Sequence, residues 1–359
     1  MRRAAGERPR RRRLAAADAV DSGARARHAA PPRVPRAAAC KRAPLGPTRR
    51  RATVCRRLKA PMRATAVAIR AHRWCNSASA GRLSSAHLDA LTRDTVLPPI
   101  DIRLFIAAPP ERVWSCWTDN EELTNWFPDR VEGSCAPGGR VVYHWDALAA
   151  QLAFDVRRAD PPERLELVAA PPGQPVQTQR VDLRASAGGT ALRLVHAGLT
   201  DPDVRDGTAA GWQVSLQLCK LYAERHTGRR RIGGWILGLA TVDLPAIHAR
   251  YTAPEGLATW LGTGEIGDAG TLASVALHGG GRLTGPVLVR VPNRDVCVRW
   301  DEFGGAVAFR AFRVAPRAAL VGVQFASWER SEADVAPVAR QLAHAVDRLV
   351  ASFGGPGDA

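Results

Sequence analysis

A pair of short, aromatic-rich helical segments occurs twice in this chain, at an offset of 134 residues that aligns Trp126 with Trp260. The first copy, 109–127, reads PPERVWSCWTDNEELTNWF, and the second, 247–261, reads IHARYTAPEGLATWL. In both copies apolar side chains recur at the three- and four-residue spacing of one helical face. Most aligned positions keep size and polarity. The sequence therefore predicts a tandem duplication, with each domain built around one copy.

The corner between the two helices of the first copy carries a helix-capping signal. Thr118 and Asp119 have side chains that accept hydrogen bonds from the first N–H groups of a helix. Glu121 and Glu122 follow three residues later, which is the spacing of a capping box. The pattern predicts that one short helix ends here and that a second one begins.

The net charge of +17 comes entirely from the N-terminal segment. Residues 1–96 contain 24 Lys and Arg against 5 Asp and Glu, or +19, and the other residues contain 27 against 29, or −2. Binding to nucleic acid requires basic side chains that are concentrated enough to neutralise phosphates. We therefore expect no nucleic-acid binding by the folded part of the chain.

Residues 1–96 are rich in Arg, Ala and Pro and show no sustained hydrophobic period. Ordering the backbone costs about 1–2 kcal/mol per residue. Because this segment has little apolar surface to offset that cost, we expect it to be disordered. Three interpretations remain open: an extension upstream of the true start, an organellar transit peptide, or a basic tail that binds nucleic acid or acidic lipid.

Residues 97–226 have the pattern of an antiparallel sheet followed by one long helix. Period-two alternation and turn residues predict strands at 102–106, 140–146, 152–157, 164–168, 176–183 and 191–196. Trp212, Leu216, Cys219 and Ala223 then recur on one helical face and predict a helix from about 206 to 225. This order is typical of an α+β fold in which a curved antiparallel sheet wraps around a C-terminal helix.

A second domain of the same kind is predicted over 235–354, after a basic, glycine-rich linker at 227–234. The predicted strands lie at 287–291, 295–300, 306–314 and 319–328, and apolar residues from Val335 to Phe353 predict the closing helix. The sequence GTGEIG at 262–267 matches the glycine-rich loop of dinucleotide sites. Because it follows a helix and not a strand, we expect no cofactor there.

The first domain resembles the SRPBCC superfamily (START-like, helix-grip), in the branch similar to the C-terminal domain of the activator of Hsp90 ATPase. The residues that carry the resemblance are APPERVW at 108–114, TDNEELTNWF at 118–127, PGGR at 137–140, GTALRLVHAG at 189–198 and GWQVSLQLCKLY at 211–222, in family order. The second copy retains the helix pair but lacks the GW pair. The resemblance implies two tandem helix-grip (START/Bet v 1-like) domains.

The resemblance also implies a cavity between the sheet and the long helix of the first domain. The candidates for lining this cavity are Trp114, Trp117, Trp126, Phe127, Tyr143, Trp145, His196 and Trp212. Because concave, mostly apolar sites are typical for small molecules, one interpretation is a pocket for a small hydrophobic ligand. The other is that these rings are packed core. His196 either faces the cleft or is a hydrogen-bonded structural residue. His144 precedes Trp145 and lies on the opposite face of the same strand, so it is expected to be exposed.

The leading hypothesis is non-enzymatic binding of a small hydrophobic molecule by the first domain, which the second domain supports or gates. The sequence shows no recognisable catalytic set, paired carboxylates or metal-ligand spacing, so we predict no catalytic residue, cofactor or metal. The resemblance leaves two alternatives open: interaction with an Hsp90-type chaperone, and a cyclase- or hydrolase-like enzyme that uses the same cavity.

The expected location is the cytoplasm, or an organelle if residues 1–96 are a transit peptide. Seven scattered cysteines fit a reducing compartment. No apolar run approaches the roughly 18 residues of a membrane-spanning helix.

Overall fold

The computed structural model of the protein describes residues 96–170 and 175–354. Two lobes follow each other along this part of the chain, and each contains an antiparallel sheet, a pair of short helices and a long closing helix. The predicted α+β fold with two helix-grip domains is confirmed. The predicted disorder of residues 1–96 concerns residues that, apart from Val96, lie outside the described ranges.

Lobe 1 contains seven strands in the order β1-β7-β6-β5-β4-β3-β2. The strands are β1 (Ile100–Ile106), β2 (Arg130–Gly133), β3 (Arg140–Trp145), β4 (Ala150–Asp160), β5 (Arg164–Ala169), β6 (Gln177–Ser186) and β7 (Gly189–Ala197). The helices are α1 (Pro110–Thr118), α2 (Asn120–Thr124) and α3 (Pro202–Arg225). Helix α3 begins earlier than predicted because Asp201 caps its N-terminus and Pro202 fits its first position.

Lobe 2 repeats this arrangement, with strand order β8-β14-β13-β12-β11-β10-β9. The strands are β8 (Ile232–Ala240), β9 (Gly262–Glu265), β10 (Leu272–Leu277), β11 (Arg282–Arg290), β12 (Val296–Trp300), β13 (Gly305–Ala315) and β14 (Ala318–Ser327). The helices are α4 (Leu244–Thr252), α5 (Pro254–Trp260) and α6 (Glu332–Ala351). Strand β8 begins inside the predicted linker. The GTGEIG sequence at 262–267 contributes strand β9, so it is not the loop before a helix that a dinucleotide site requires.

The repeated sequence produces the same local structure in both lobes. Helices α1 and α4 occupy positions that differ by the 134-residue offset seen in the sequence. In lobe 1 the Trp126 indole Nε1 donates to the Cys116 carbonyl at 2.8 Å, and in lobe 2 the Trp260 indole Nε1 donates to the Arg250 carbonyl at 2.8 Å. Each bond ties the C-terminal end of the second helix back to the first helix, so a buried tryptophan fixes the angle of the helix pair.

The long helix α3 is buried on two sides. The predicted stripe through Trp212 and Cys219 faces the sheet of its own lobe. A second stripe, at Gly211, Val214, Leu218 and Tyr222, follows the same helical spacing on another side. Helix α3 also packs against β11 and β13 of lobe 2. The core of lobe 1 accordingly includes six buried side chains of lobe 2: Val289, Cys297, Ala306, Ala308, Ala326 and Trp328.

Asn125 makes three hydrogen bonds at the joint between the two lobes: one within lobe 1, one to the joining segment and one to lobe 2. Its side-chain Nδ2 donates to the Tyr222 hydroxyl at 3.0 Å, and its Oδ1 accepts from the Arg231 backbone N–H at 3.0 Å. The backbone carbonyl of Asn125 accepts from the Trp328 indole Nε1 at 2.8 Å. The Trp328 ring is stacked on His226, with centroids 4.8 Å apart. Since buried polar groups need partners, these bonds specify one way of joining the lobes.

A buried ion pair lies on the face of the lobe 2 sheet that meets helix α3. Arg310 Nε donates to Asp295 Oδ2 at 3.0 Å, and Arg310 Nη1 donates to Gln324 Oε1 at 3.2 Å. Gly211 of α3 lies directly opposite, since a Cβ atom at that position would be 3.0 Å from Arg310 Nη2. The glycine therefore leaves room for the guanidinium group between the helix and the sheet.

The capping signal at the corner of the first helix pair is present in the structure and gives a testable prediction. Asp119 Oδ1 accepts from the backbone N–H groups of Glu121 at 2.8 Å and Glu122 at 3.1 Å. We expect Asp119→Ala to lower the free energy of unfolding by about 1 kcal/mol, because both N–H groups lose their acceptor. Urea unfolding followed by tryptophan fluorescence measures the change. Asp119→Asn keeps an acceptor and is the control; an equal loss in both variants would contradict the capping role.

Candidate functional site

Seven of the eight predicted cavity-lining residues form one continuous cluster between the lobe 1 sheet and helix α3. Successive rings lie within a few ångströms of one another, in stacked or edge-on geometry. The centroid distances are 4.9 Å for Trp117–Trp126, 6.0 Å for Trp117–Trp212, 5.1 Å for Trp126–Phe127 and Phe127–Trp212, 5.4 Å for Phe127–Tyr143, 5.2 Å for Phe127–Trp145 and 6.4 Å for His196–Trp212. Aromatic pairs at such distances stabilise each other beyond the burial of area alone.

The cluster extends from the buried core to the surface of lobe 1. Trp117, Trp126 and Tyr143 are at most 2% exposed, whereas Phe127 and Trp145 are half-buried. Trp114, on helix α1, is also half-buried and packs against the core, but among the described residues it makes no ring contact with the other candidates. The surface end of the cluster is therefore the edge-on pair of Phe127 and Trp145.

Sequence reasoning missed one ring of this cluster, Phe154. It lies on strand β4 with its centroid 5.8 Å from that of Tyr143. The sequence did contain a signal for this ring. The alternation of the predicted strand at 152–157 places Phe154 on the same face as Leu152. The side chain is 2% exposed and closes the cluster on the sheet side.

Hydrogen bonds hold His196 in one tautomer. The Trp212 indole Nε1 donates to His196 Nδ1 at 3.0 Å, so the ring proton is on Nε2, which faces Gln177 Oε1 at 3.4 Å. The side chain is buried, and burial lowers the pKa of His196 to about 4. The neutral imidazole therefore acts as an acceptor that orients the Trp212 ring within the cluster.

The buried indole N–H of Trp117 makes no hydrogen bond of standard geometry among the described residues. Most buried donors in proteins are satisfied by protein or by water. This donor lies in the buried part of the aromatic cluster, where it interacts with the thiol of Cys219.

The prediction that His144 is exposed is wrong. Its side chain is 12% exposed, and its Nε2 lies 3.4 Å from Glu132 Oε1. The reason is strand β2, which the sequence analysis missed and which pairs with β3 so that Arg130 is opposite His144. This short strand covers the edge of the sheet where the histidine was expected to face solvent.

Two clefts lie between the lobes, and neither includes a residue of the aromatic cluster. The first has a volume of about 360 Å³ and lies between helix α3, the start of helix α4 and the segment that joins β11 to β12. The second has a volume of about 300 Å³ and lies between β1, α3 and β11. Sequence reasoning missed both, because they exist only where the two lobes pack together.

Over residues 96–170 and 175–354, no group of three or more His, Cys, Asp or Glu side chains is arranged to hold a metal ion. In the same part of the chain, no helix is both long and apolar enough to cross a membrane. The four cysteines of these ranges, Cys116, Cys135, Cys219 and Cys297, are buried free thiols, as expected for small core residues.

The sheet, the paired short helices and the enclosed long helix define lobe 1 as a helix-grip domain. Residues 107–224 match the family model described as Activator of Hsp90 ATPase homolog 1-like protein. This match over the first lobe agrees with the resemblance seen in the sequence. A comparison with curated proteins found no match.

Solved structures with similarity to this chain include three of different lengths. CalU16 from Micromonospora echinospora is 28% identical with a TM-score of 0.31, and the alignment covers 35% of this chain and 76% of CalU16. The Aha1 dimer from Colwellia psychrerythraea is 20% identical with a TM-score of 0.34, over 37% of this chain and all of that one (100%). DynU16, from the dynemicin biosynthetic locus, is 17% identical with a TM-score of 0.33, over 71% of this chain and 98% of DynU16.

The lowered pKa of His196 predicts a specific pH dependence of stability. An unfolded histidine has a pKa near 6.5, so between pH 6.5 and about 4 the unfolded chain binds a proton that the native site does not. We expect this residue to lower the free energy of unfolding by about 3 kcal/mol as the pH falls through that window. His196→Asn keeps an acceptor near Nδ1 and removes the titration, so it should flatten the pH profile measured by urea unfolding.

His344→Asn, which removes an exposed histidine on helix α6, is the control for this experiment. It should retain the loss of stability that His196 causes between pH 6.5 and about 4. A profile for His196→Asn that is as steep as the wild-type profile would contradict the neutral, buried assignment.

Proposed function

We propose that lobe 1 binds a small hydrophobic molecule at the surface end of its aromatic cluster. The observation that carries the proposal is the continuity of this cluster from the buried Trp117 to the half-buried Phe127 and Trp145. Half-buried aromatic rings at the edge of a core are a favourable surface for an apolar ligand, because binding removes ring area from water. We keep the eight candidate residues as the proposed lining of the site, with Phe127 and Trp145 at the entrance and Trp114 outside the ring contacts of the cluster.

A further feature supports this location. The Trp212 ring is oriented by His196 and stacks on Phe127 with centroids 5.1 Å apart, so the inner wall of the site is held in place. A mostly apolar site with few polar groups is the usual composition of a small-molecule site.

Lobe 2 is proposed to support this entrance. Strand β8 of lobe 2 contacts the short 3-10 helix Asp146–Leu148, which directly follows Trp145. The Arg231 guanidinium also donates to the carbonyls of Phe127 at 3.3 Å and Pro128 at 2.7 Å. The backbone on both sides of the aromatic pair is therefore held by residues at or just before the start of lobe 2.

A second candidate function is interaction with an Hsp90-type chaperone. The observation in its favour is the family model that residues 107–224 match, whose description names a homologue of an activator of the Hsp90 ATPase. The test is co-purification with the Hsp90 of the same organism, together with its ATPase rate. A reproducible change in that rate supports this candidate, and the absence of both enrichment and rate change removes it.

An enzymatic role through His196 has less support. Its Nδ1 accepts from Trp212 and its Nε2 faces Gln177, so both ring nitrogens are engaged within lobe 1. A general base must reach the proton that it removes. The geometry favours a positioning role for this histidine within the binding site.

Trp145→Ala tests the ligand site directly. With the uncharged apolar fluorophore N-phenyl-1-naphthylamine as probe, we expect wild-type protein to show saturable binding and Trp145→Ala to bind about tenfold more weakly, because half of the entrance pair is missing. Fluorescence titration measures binding, and urea unfolding of the same samples measures stability. Trp235→Ala, which removes a half-buried tryptophan of lobe 2, is the matched control.

Binding that is equal in the two tryptophan variants would contradict the assignment of the site to lobe 1. A parallel loss of binding and stability in Trp145→Ala would identify this ring as an ordinary core residue. Native mass spectrometry of protein purified from its own organism adds an independent readout. A bound mass that dissociates on activation supports the proposal and gives the mass of the natural ligand.

A further inference from the structure

The first cleft between the lobes combines basic side chains with an apolar wall. Arg294, between β11 and β12, and Arg313, on β13, line it from lobe 2. Helix α3 contributes Asp206 and Gln213 from lobe 1. The volume of about 360 Å³ lies within the range of small-molecule sites, which starts at about 300 Å³. Gln213 is exposed, so the cleft is open to solvent.

Two guanidinium groups share one carboxylate at this cleft. Arg313 Nε donates to Asp203 Oδ1 at 3.3 Å, and Arg294 Nη2 donates to the same oxygen and to the Asp203 carbonyl, the latter at 3.2 Å. Within the described residues, the guanidinium groups of Arg294 and Arg313 make no other hydrogen bonds. Arg294 uses only its Nη2 atom for its two bonds. Each guanidinium has five N–H donors. Several donors of both groups therefore remain for a second anion.

The charges around the cleft leave a positive excess. Asp206, the lining carboxylate, is paired with Arg205 at 3.1 Å. Arg294 and Arg313 line the cleft with two positive charges against one negative charge from Asp206, and Asp203 beside them is shared by both arginines. Arg294 is only 8% exposed, so its charge is poorly hydrated and interacts more strongly with a nearby anion than a surface arginine does. Planar guanidinium groups bind carboxylates in a bidentate geometry.

The same cleft also has an apolar lining. It is formed by Ala209 and Ala210 of helix α3, by Leu244 at the start of helix α4, and by Val291. Ala210 and Leu244 are buried and show only small side-chain surfaces at the base of the cleft. A ligand that pairs with the two arginines therefore also has hydrocarbon surface within the same cleft.

We infer that this cleft binds a small amphipathic carboxylate that bridges the two lobes. The carboxylate pairs with Arg294 and Arg313, and the hydrocarbon part covers the wall formed by Ala209, Leu244 and Val291. The cleft is separate from the aromatic cluster, so this site does not depend on the function proposed for lobe 1.

The test uses the full chain, with hexanoate as the probe and calorimetric titration as the measurement. We expect saturable binding of hexanoate that is about tenfold or more tighter than binding of hexanol, which lacks the charge, or of inorganic phosphate, which lacks the hydrocarbon. Arg313→Gln should weaken hexanoate binding about tenfold. Gln213→Glu, a substitution at an exposed position that adds a negative charge to the cleft, should weaken it as well. Arg340→Gln removes an exposed arginine of helix α6 and should have no effect.

Several results would overturn the inference. Absence of hexanoate binding by the wild type would remove the site, and equal binding of hexanol would remove the role of the arginines. Equal binding of phosphate would leave the apolar wall without a role. Hexanoate binding that persists in Arg313→Gln but is lost in Trp145→Ala would place the carboxylate at the aromatic cluster in lobe 1. None of these results affects the fluorophore test of the aromatic site.

Discussion

The burial of helix α3 between two sheets is the constraint on which the rest of the structure depends. One stripe of the helix packs on the aromatic cluster and sheet of lobe 1, and another packs on the outer face of the lobe 2 sheet. Each fully buried large apolar side chain contributes about 1.5–3 kcal/mol, so neither stripe is dispensable. Because the helix is fixed on both sides, it positions Trp212 against Phe127 and it also forms one wall of each cleft between the lobes.

Polar contacts give this packing its specificity. An apolar helix face by itself permits several rotations and shifts against a sheet, whereas buried polar groups tolerate few alternatives. The three hydrogen bonds of Asn125 and the ion pair of Arg310 with Asp295 lie at different points along the interface. Gly211 fits opposite the Arg310 guanidinium. Together they define one register between the helix and the second sheet.

Much of the fold was predictable because it is encoded in short-range periodicity. The repeated helix pairs, the long helices and most strands follow from apolar spacing, and the Asp119 cap follows from its local pattern. Strands β2, β9 and β10 were missed. Strands β2 and β9 have four residues each and contain glycine, so neither shows a useful alternation, and β10 lies between two glycine-containing turns that obscure it. The start of β8 was assigned to the linker for the same reason, since Gly233 and Gly234 interrupt its pattern.

The candidate site was predictable in composition but not in arrangement. The aromatic residues could be listed because they occur on elements that the resemblance places around one space. Their contacts depend on long-range geometry: the bond from the Trp212 indole to His196 joins a helix to a strand, and no local pattern specifies the tautomer that results. The second stripe of helix α3 was present in the sequence as Val214, Leu218 and Tyr222. The sequence did not show that lobe 2 packs on this stripe, so the stripe could not be distinguished from scattered apolar residues on a surface helix.

The sharing of a core between the lobes has a consequence for what counts as one domain. The family match ends at residue 224, but the hydrophobic core to which those residues belong includes Trp328 and five other side chains of lobe 2. A fragment that ended at residue 224 would expose to solvent the apolar side of helix α3 that packs on lobe 2. It would also lack Trp328, which bonds to Asn125. The unit that folds is therefore the pair of lobes and not the single domain that the family model matches.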